Sequence, residues 1–106
     1  MNARIVLTTA GSKSEAQRIA RSLVERRLAA CVNVVGPIES VYRWKETVED
    51  GEEWLLLVKT TEAAFRQVHD AIRELHSYAL PECVALAVEA GSAPYLAWIE
   101  GNVKSA

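Results

Sequence analysis

Several residue types that can do chemistry lie close together in the stretch ELHSYALPECVALAV, which runs from Glu74 to Val88. His76, Tyr78, Glu82 and Cys83 fall within eight residues. Imidazole, phenol, carboxylate and thiol groups bind metal ions or exchange protons. The same stretch also suits a plain connection, because a histidine at a helix end can bind the terminal carbonyls and a proline stiffens a link. Both interpretations stay open from sequence.

The chain has two cysteines, Cys31 and Cys83, and no Cys-x-x-Cys spacing. Such cysteines are expected to be free thiols in a reducing compartment. As a soft thiolate donor, Cys31 suits copper(I), but soft-metal sites need two or more converging sulfur ligands. The candidate metal ligands are Cys31, through its thiolate, and His76, through an imidazole nitrogen. The alternatives are a small buried hydrophobe for Cys31 and a helix-end residue for His76.

The elements that must position these residues follow from hydrophobic spacing and turn signals. The sequence first predicts a strand "ARIVLTT" and then a helix that begins with a Ser14–Gln17 capping box. A long strand follows, formed by "CVNVV" and "IESVYRW" and interrupted at Gly36-Pro37; it is joined by a turn "VEDGEE" to a strand "EWLLLVKTT". The remaining elements are a helix started by Thr61, a strand "ECVALAV" and a short helix capped by Ser92.

This order predicts one α+β domain over residues 1–106, with a ferredoxin-like βαββαβ antiparallel sheet, both main helices on one face and a short C-terminal helix. A sheet covered on one side alternates apolar and polar residues. The segments "WLLLV" and "VALAV" are instead apolar at both odd and even positions, and therefore on both faces of the sheet. The second face must therefore also be covered, and the most economical cover is another copy of the chain.

Composition excludes several classes of function. The chain has 106 residues, is half hydrophobic and carries a net charge of −2, so it lacks the basic surplus of a general nucleic-acid binder. Strand one, "RIVLTT", has none of the aromatics of RNA-binding versions of this fold. No stretch is long enough to span a bilayer and the N-terminus does not resemble a signal peptide, so a cytoplasmic location is expected. The sequence has no nucleophile elbow and no catalytic triad in a recognised order, so the chain is not predicted to be an enzyme.

Five segments resemble the CutA family of divalent-cation tolerance proteins in order and spacing: "ERRLAACVNVV", "VYRW", "LLLVKTT", "ELHSYALPE" and "APYLAWI". The resemblance covers Ile5 to Ile99. It implies a compact homotrimer, related in architecture to the PII signalling proteins, and an association with copper and other divalent metals. It implies no known reaction. The family often has His-Pro-Tyr where this chain has His76-Ser77-Tyr78.

Two functions follow as hypotheses. A metal-associated or ligand-sensing trimer would use clefts between subunits lined by Cys31, Trp44, Lys59, His76, Tyr78 and Glu82. Within such a cleft, Glu82 is expected to pair with a cation or with Lys59. The alternative is a trimeric scaffold that holds partner proteins and needs no ligand.

Overall fold

The computed structural model describes residues 2–104. Seven elements follow one another: β1 (Ala3–Ala10), α1 (Lys13–Glu25), β2 (Cys31–Trp44), β3 (Thr47–Thr61), α2 (Phe65–Leu75), β4 (Val84–Ala87) and α3 (Ala93–Asn102). The strands form one sheet in the order β2-β3-β1-β4, and each neighbouring pair is antiparallel. The predicted ferredoxin-like fold with a short C-terminal helix is confirmed.

The main core lies between one face of the sheet and the helices α1 and α2. Side chains of one parity on β1 and β3, including Val6, Leu56 and Val58, are fully buried there. Ile19 of α1 and Ile72 of α2 meet them at helical spacing. Each such side chain contributes roughly 1.5 to 3 kcal/mol by leaving water, so this face holds the subunit together.

Apolar residues of the opposite parity face away from α1 and α2. We call this set the open sheet face, and the strand pairing assigns to it Ile5, Leu7, Val35, Leu55, Leu57, Val84 and Leu86. Val35 is 46% exposed, and Val84 and Leu86 are each 49% exposed. A single subunit therefore leaves much of this apolar surface in contact with water.

The β2–β3 hairpin turns at Lys45 and Glu46, whose φ angles are 50° and 68°. Positive φ at both central residues is the signature of a tight two-residue hairpin connection. The predicted turn at "VEDGEE" is wrong, because these residues belong to β3. Pairing that continues to Trp44 and Thr47 satisfies the backbone groups of both strands and outweighs the local preference of Asp50-Gly51 for a turn.

The predicted interruption at Gly36-Pro37 is confirmed as a register shift between Val35 and Ile38. A Cβ at Gly36 would lie only 2.3 Å from Cδ1 of Trp54, so the indole ring packs directly on this backbone. Trp54 thus lies at the base of the hairpin and not beside its turn. The paired residues beyond this point, 38–53, form an arm that we call the hairpin arm.

Helix α1 begins after Ser12, whose Oγ accepts a hydrogen bond from the Glu15 N–H at 3.2 Å. The predicted cap at Ser14 is wrong. Ser12 has the extended backbone that an N-cap requires, with φ −147° and ψ 157°, whereas Ser14 already lies inside the helix.

The other two helix starts are closer to expectation. Helix α2 begins at Phe65, and Thr61 acts in the preceding turn, where its Oγ1 accepts from the Ala64 N–H at 3.3 Å. Helix α3 follows Ser92 as predicted, although the Ser92 side chain makes no capping hydrogen bond. Among the helices of residues 2–104, none has both the length and the apolarity to cross a membrane.

Candidate functional site

A cavity of about 410 Å³ lies where the hairpin arm leaves the rest of the sheet. We call it the aromatic cavity. Its walls include three aromatic side chains and three carboxylates: Tyr42, Trp44, Tyr78, Glu49, Glu53 and Glu82. Three of the residues predicted to line a cleft, Trp44, Tyr78 and Glu82, are therefore brought together.

Strand geometry aims the hairpin residues of this cavity in one direction. Tyr42 and Trp44 are two residues apart on β2, and Tyr42 pairs directly with Glu49 of β3. Side chains at alternate positions and at paired positions share one face of a sheet. Glu49 and Glu53 have the same parity as Leu55, so the aromatic cavity opens on the side of the sheet that carries the open sheet face.

Tyr78 is fixed in position from three sides. Its hydroxyl donates a hydrogen bond to Oε2 of Glu53 at 2.8 Å. Its ring lies against the His76 ring, with 4.6 Å between the centroids, and a Cβ added at Gly11 would come within 3.0 Å of its hydroxyl oxygen. Burial, together with the neighbouring carboxylate of Glu53, raises the pKa of Tyr78 to about 12, so the phenol stays a hydrogen-bond donor at neutral pH.

His76 lies behind the cavity with no exposed side-chain surface. Its Nε2 is 2.6 Å from the carbonyl oxygen of Thr9, and its Nδ1 accepts from the Tyr78 N–H at 3.0 Å. This pattern fits a neutral ring that carries its proton on Nε2. Both ring nitrogens are occupied, so a metal ion would have to displace one of these bonds. The geometry gives His76 a role in placing Tyr78.

Glu15 ties helix α1 to the α2–β4 connection. Its carboxylate accepts from the Ser77 N–H at 2.7 Å and from the Ser77 hydroxyl at 3.1 Å, and it lies 4.0 Å from Nδ1 of His76. Burial alone would raise the pKa of Glu15, but the hydrogen bonds that its carboxylate accepts from the hydroxyl and N–H of Ser77 and from the N–H of Gly11 together lower it. We call the Glu15–Ser77–His76 contacts the loop lock.

Cys31 and Lys59 lie elsewhere on the sheet. They pair across β2 and β3, and both contact Oδ1 of Asn33, from which the Cys31 Sγ is 3.8 Å away. Within one subunit Lys59 contacts Asn33 and not Glu82, and it does not line the aromatic cavity. The expectation that Lys59 shares a cleft between subunits with Tyr78 and Glu82 stays a prediction. We call this group the Cys31 cluster.

Cys31 and His76 do not converge in one subunit. Cys31 pairs with Lys59, whereas His76 binds Thr9, which pairs with Leu55. Four residues along a strand correspond to roughly 14 Å. Within residues 2–104, no group of three or more His, Cys, Asp and Glu side chains is arranged to hold a metal ion. The assignment of Cys31 and His76 to a metal stays a prediction.

The second cysteine is also free and packs partly against the core. Burial, with the neighbouring Glu82, raises the pKa of the Cys83 thiol. Cys31 begins β2 and Cys83 precedes β4, and these strands form opposite edges of the sheet. This placement agrees with the predicted absence of a disulfide between them.

Four contributors to this region were not predicted from the sequence: Tyr42, Glu49, Glu53 and Glu15. For Tyr42 the signal was its two-residue spacing from Trp44, which places both rings on one face of a strand. For Glu15 the signal was the Ser-x-x-Glu spacing from Ser12. Nothing local connects Glu49 or Glu53 with Tyr78, and the wrong turn assignment placed Glu49 in a loop.

The fold and the cavity together define a small ferredoxin-like α+β protein with a long hairpin arm. Comparison with known proteins identifies the family to which it belongs. Residues 4–102 match the model of the CutA1 divalent ion tolerance protein family. The divalent-cation tolerance protein CutA of Thermus thermophilus is 47% identical over 98 residues, which make up 92% of this chain and 95% of that protein. The chain therefore belongs to the CutA family of divalent-cation tolerance proteins.

Solved structures agree with this assignment. The Thermus thermophilus CutA1 structure has a TM-score of 0.95 at 45% identity, covering 96% of this chain and 99% of that one. The Oryza sativa CutA1 structure has a TM-score of 0.97 at 34% identity, covering 100% of this chain and 97% of that one. Human protein CutA is 42% identical over 92% of this chain, which spans only 54% of the human protein.

The relatives differ in their described location. An Arabidopsis thaliana relative, 35% identical over 95% of this chain and 56% of its own length, is described as chloroplastic. The Archaeoglobus fulgidus structure, at 38% identity and a TM-score of 0.93 over 96% of this chain and 99% of that one, is described as periplasmic. A cytoplasmic location for this chain stays a prediction. The family is described by ion tolerance and not by a reaction, and the absence of catalysis likewise stays a prediction.

Proposed function

We propose that this CutA-family chain acts as a homotrimer that binds an ion or small ligand at the aromatic cavity and signals its presence, as PII proteins do. One observation carries the proposal: the cavity opens on the same side of the sheet as the uncovered apolar residues. Association that covers the open sheet face therefore brings a second subunit beside the cavity. Ligand binding and assembly would be linked through this shared surface.

The open sheet face supports the trimer. It presents apolar side chains from all four strands, and Val35, Val84 and Leu86 are nearly half exposed. Contiguous exposed apolar surface of this kind marks an interaction site, and most homo-oligomers have closed symmetry. Three copies arranged in a closed ring would form the homotrimer that the family resemblance implies.

Copper association is the second part of the proposal, and the Cys31 thiolate is its expected donor. Cys31 has the same parity as Leu55 and Leu57, so it belongs to the side of the sheet that would face other subunits. One thiol provides one soft ligand, and a tighter site would need sulfur from symmetry-related copies. The residues of a single subunit do not fit a closed copper site, and weak binding is expected.

A copper(I) competition titration under reducing conditions tests this part, using wild type, Cys31→Ser and His76→Ala, with zinc titrated in parallel. Cys31→Ser should abolish any specific copper(I) site and leave the oligomer intact, because it keeps the size of the side chain and removes the soft donor. Equal affinity in wild type and Cys31→Ser would end the thiolate hypothesis. A loss confined to His76→Ala would place the metal at the loop lock. A trimer that binds no ion or small ligand would support the scaffold alternative.

A further inference from the structure

The walls of the aromatic cavity combine two chemistries that both favour positive charge. Tyr42 and Trp44 are each 44% exposed and Tyr78 is 38% exposed, so their rings are accessible to a ligand. The carboxylates of Glu49, Glu53 and Glu82 stand around them, and the wall contains no Lys or Arg. Aromatic faces attract cations through the ring quadrupole, and carboxylates add direct Coulomb attraction.

The carboxylates are too far apart for one metal ion. Glu49 and Glu53 are four residues apart on β3, which separates their backbones by roughly 14 Å, and no group of three or more His, Cys, Asp and Glu side chains among residues 2–104 is arranged to hold a metal ion. A metal ion needs its oxygen ligands at about 2.0 to 2.6 Å. The cavity, at about 410 Å³, has instead the size of a site for a small organic molecule.

Two of the carboxylates are free to meet such a ligand. Glu53 accepts the hydrogen bond of Tyr78, but the side chains of Glu49 and Glu82 form no ion pair with any other residue between positions 2 and 104. Outside the cavity wall, Nζ of Lys45 lies 5.8 Å from the centroid of the Trp44 ring, which is within the range of a cation–π contact. The indole thus accepts a cation in this conformation.

We propose that the aromatic cavity binds a small organic ammonium ion, with the rings of Tyr42, Trp44 and Tyr78 around the cationic head. The proposal rests on the ligand-binding role proposed above for this cavity, and it names the class of ligand. The loop lock supports it, because Tyr78 is held by Glu53, His76 and Gly11 before any ligand arrives. A wall arranged in advance lowers the ordering cost of binding.

The test is an NMR titration of the assembled protein with tetramethylammonium chloride, following the indole N–H signals of the three tryptophans. Sodium chloride at equal ionic strength is the salt control, and tert-butanol is a neutral molecule of similar shape. Tetramethylammonium should shift the Trp44 signal in a saturable way, and tert-butanol should not. Equal responses to both molecules would overturn the proposal, because the charge would then play no part.

Two substitutions, each with a matched control, locate the site. Followed through the backbone N–H signals of Tyr42 and Tyr78, Trp44→Ala should weaken tetramethylammonium binding by about tenfold, whereas Trp98→Ala should leave it unchanged. Trp98 is 45% exposed, like Trp44, but lies on α3 outside the cavity wall. Glu49→Gln keeps the shape of the wall and should weaken binding about threefold, an effect that Glu52→Gln, on the other face of the hairpin arm, should not have.

The outcomes also separate this proposal from the proposed function. Zinc or copper shifting the signals of Tyr42, Trp44 and Tyr78 while tetramethylammonium does not would overturn the organic ligand and leave the ligand-binding cavity in place. No response of these residues to either kind of cation would overturn both. Binding that survives both Trp44→Ala and Glu49→Gln would place the ligand elsewhere and contradict the proposal.

Discussion

The Cys31 cluster and the aromatic cavity occupy different parts of the same side of one sheet, yet only the cavity is a converged site within a subunit. At the Cys31 cluster, two paired strands bring together one thiol, one amide and one ammonium group. At the cavity, β1, both hairpin strands and the α2–β4 connection contribute to one wall. Residues from several elements enclose a volume, whereas residues from two adjacent strands form only a surface.

The two regions also differ in the contacts that hold them in place. Strand pairing alone positions the Cys31 cluster. The cavity depends in addition on the loop lock, which fixes the connection that carries Tyr78. Changes to the shared apolar face should therefore affect assembly, while changes to the loop lock should affect only the cavity and the stability of the subunit.

The largest effect is expected from placing a charge on the open sheet face. Leu86→Glu should convert the trimer to monomers at micromolar concentration, because a carboxylate buried between subunits without a partner costs several kcal/mol. Size-exclusion chromatography with light scattering gives the mass. The control is Val24→Glu on α1, which packs on the opposite side of the sheet, at a residue that is 40% exposed. A trimer retained by Leu86→Glu would show that this face is not the interface.

An intermediate effect is expected from the loop lock. Glu15→Gln should lower the free energy of unfolding at pH 7 by about 1 to 3 kcal/mol, since charged hydrogen bonds to Ser77 are replaced by neutral ones. The folded pKa of Glu15 lies below its ordinary value of 4.5, so its contribution is present above pH 4.5 and is lost as the pH falls through the folded value. Glu15→Gln should lack this acid-dependent loss.

Urea unfolding at fixed protein concentration, from pH 3 to pH 7, measures this difference. Glu25→Gln is the control on the same helix, because the Glu25 side chain is 66% exposed and its one ion pair among residues 2–104 is with Arg21. Parallel pH profiles for wild type and Glu15→Gln would contradict the account of the loop lock.

A smaller effect is expected from the hydroxyl of Tyr78. Tyr78→Phe should cost about 1 kcal/mol, because it removes the bond to Glu53 and keeps the ring against Gly11. The pKa of Tyr78 is raised to about 12, so wild type should lose stability as the pH rises from 10 toward 12, and Tyr78→Phe should lose less. Alkaline unfolding of both proteins checks this, with Tyr42→Phe as control. Identical alkaline profiles would mean that Glu53 does not hold the phenol.

Local patterns were enough to predict the sheet and the helices around the core. Apolar spacing located α1 and α2, and the two-faced segment "WLLLV" correctly indicated a sheet with apolar residues on both sides. The hairpin turn was missed because Asp50-Gly51 is a strong local turn signal, while Lys45 and Glu46 are not. Only the pairing of the two long strands decides the turn.

The candidate site was harder to predict because its contacts are distant in sequence. Glu15 and Ser77 are 62 residues apart, and Tyr78 and Glu53 are 25 apart. Trp44 and Tyr78 were recognised by residue type and family motif, but no spacing connects them. Within one subunit, the strand register places Lys59 beside Cys31 and away from these two residues.

The mass of the wild-type protein in solution tests most directly the claim that further copies of the chain cover the open sheet face. Light scattering at micromolar concentration, under reducing conditions, should give a mass close to three times the 11.7 kDa of one chain. That mass should persist after dilution, because the face presents apolar residues from all four strands. The mass of a single chain would contradict the claim.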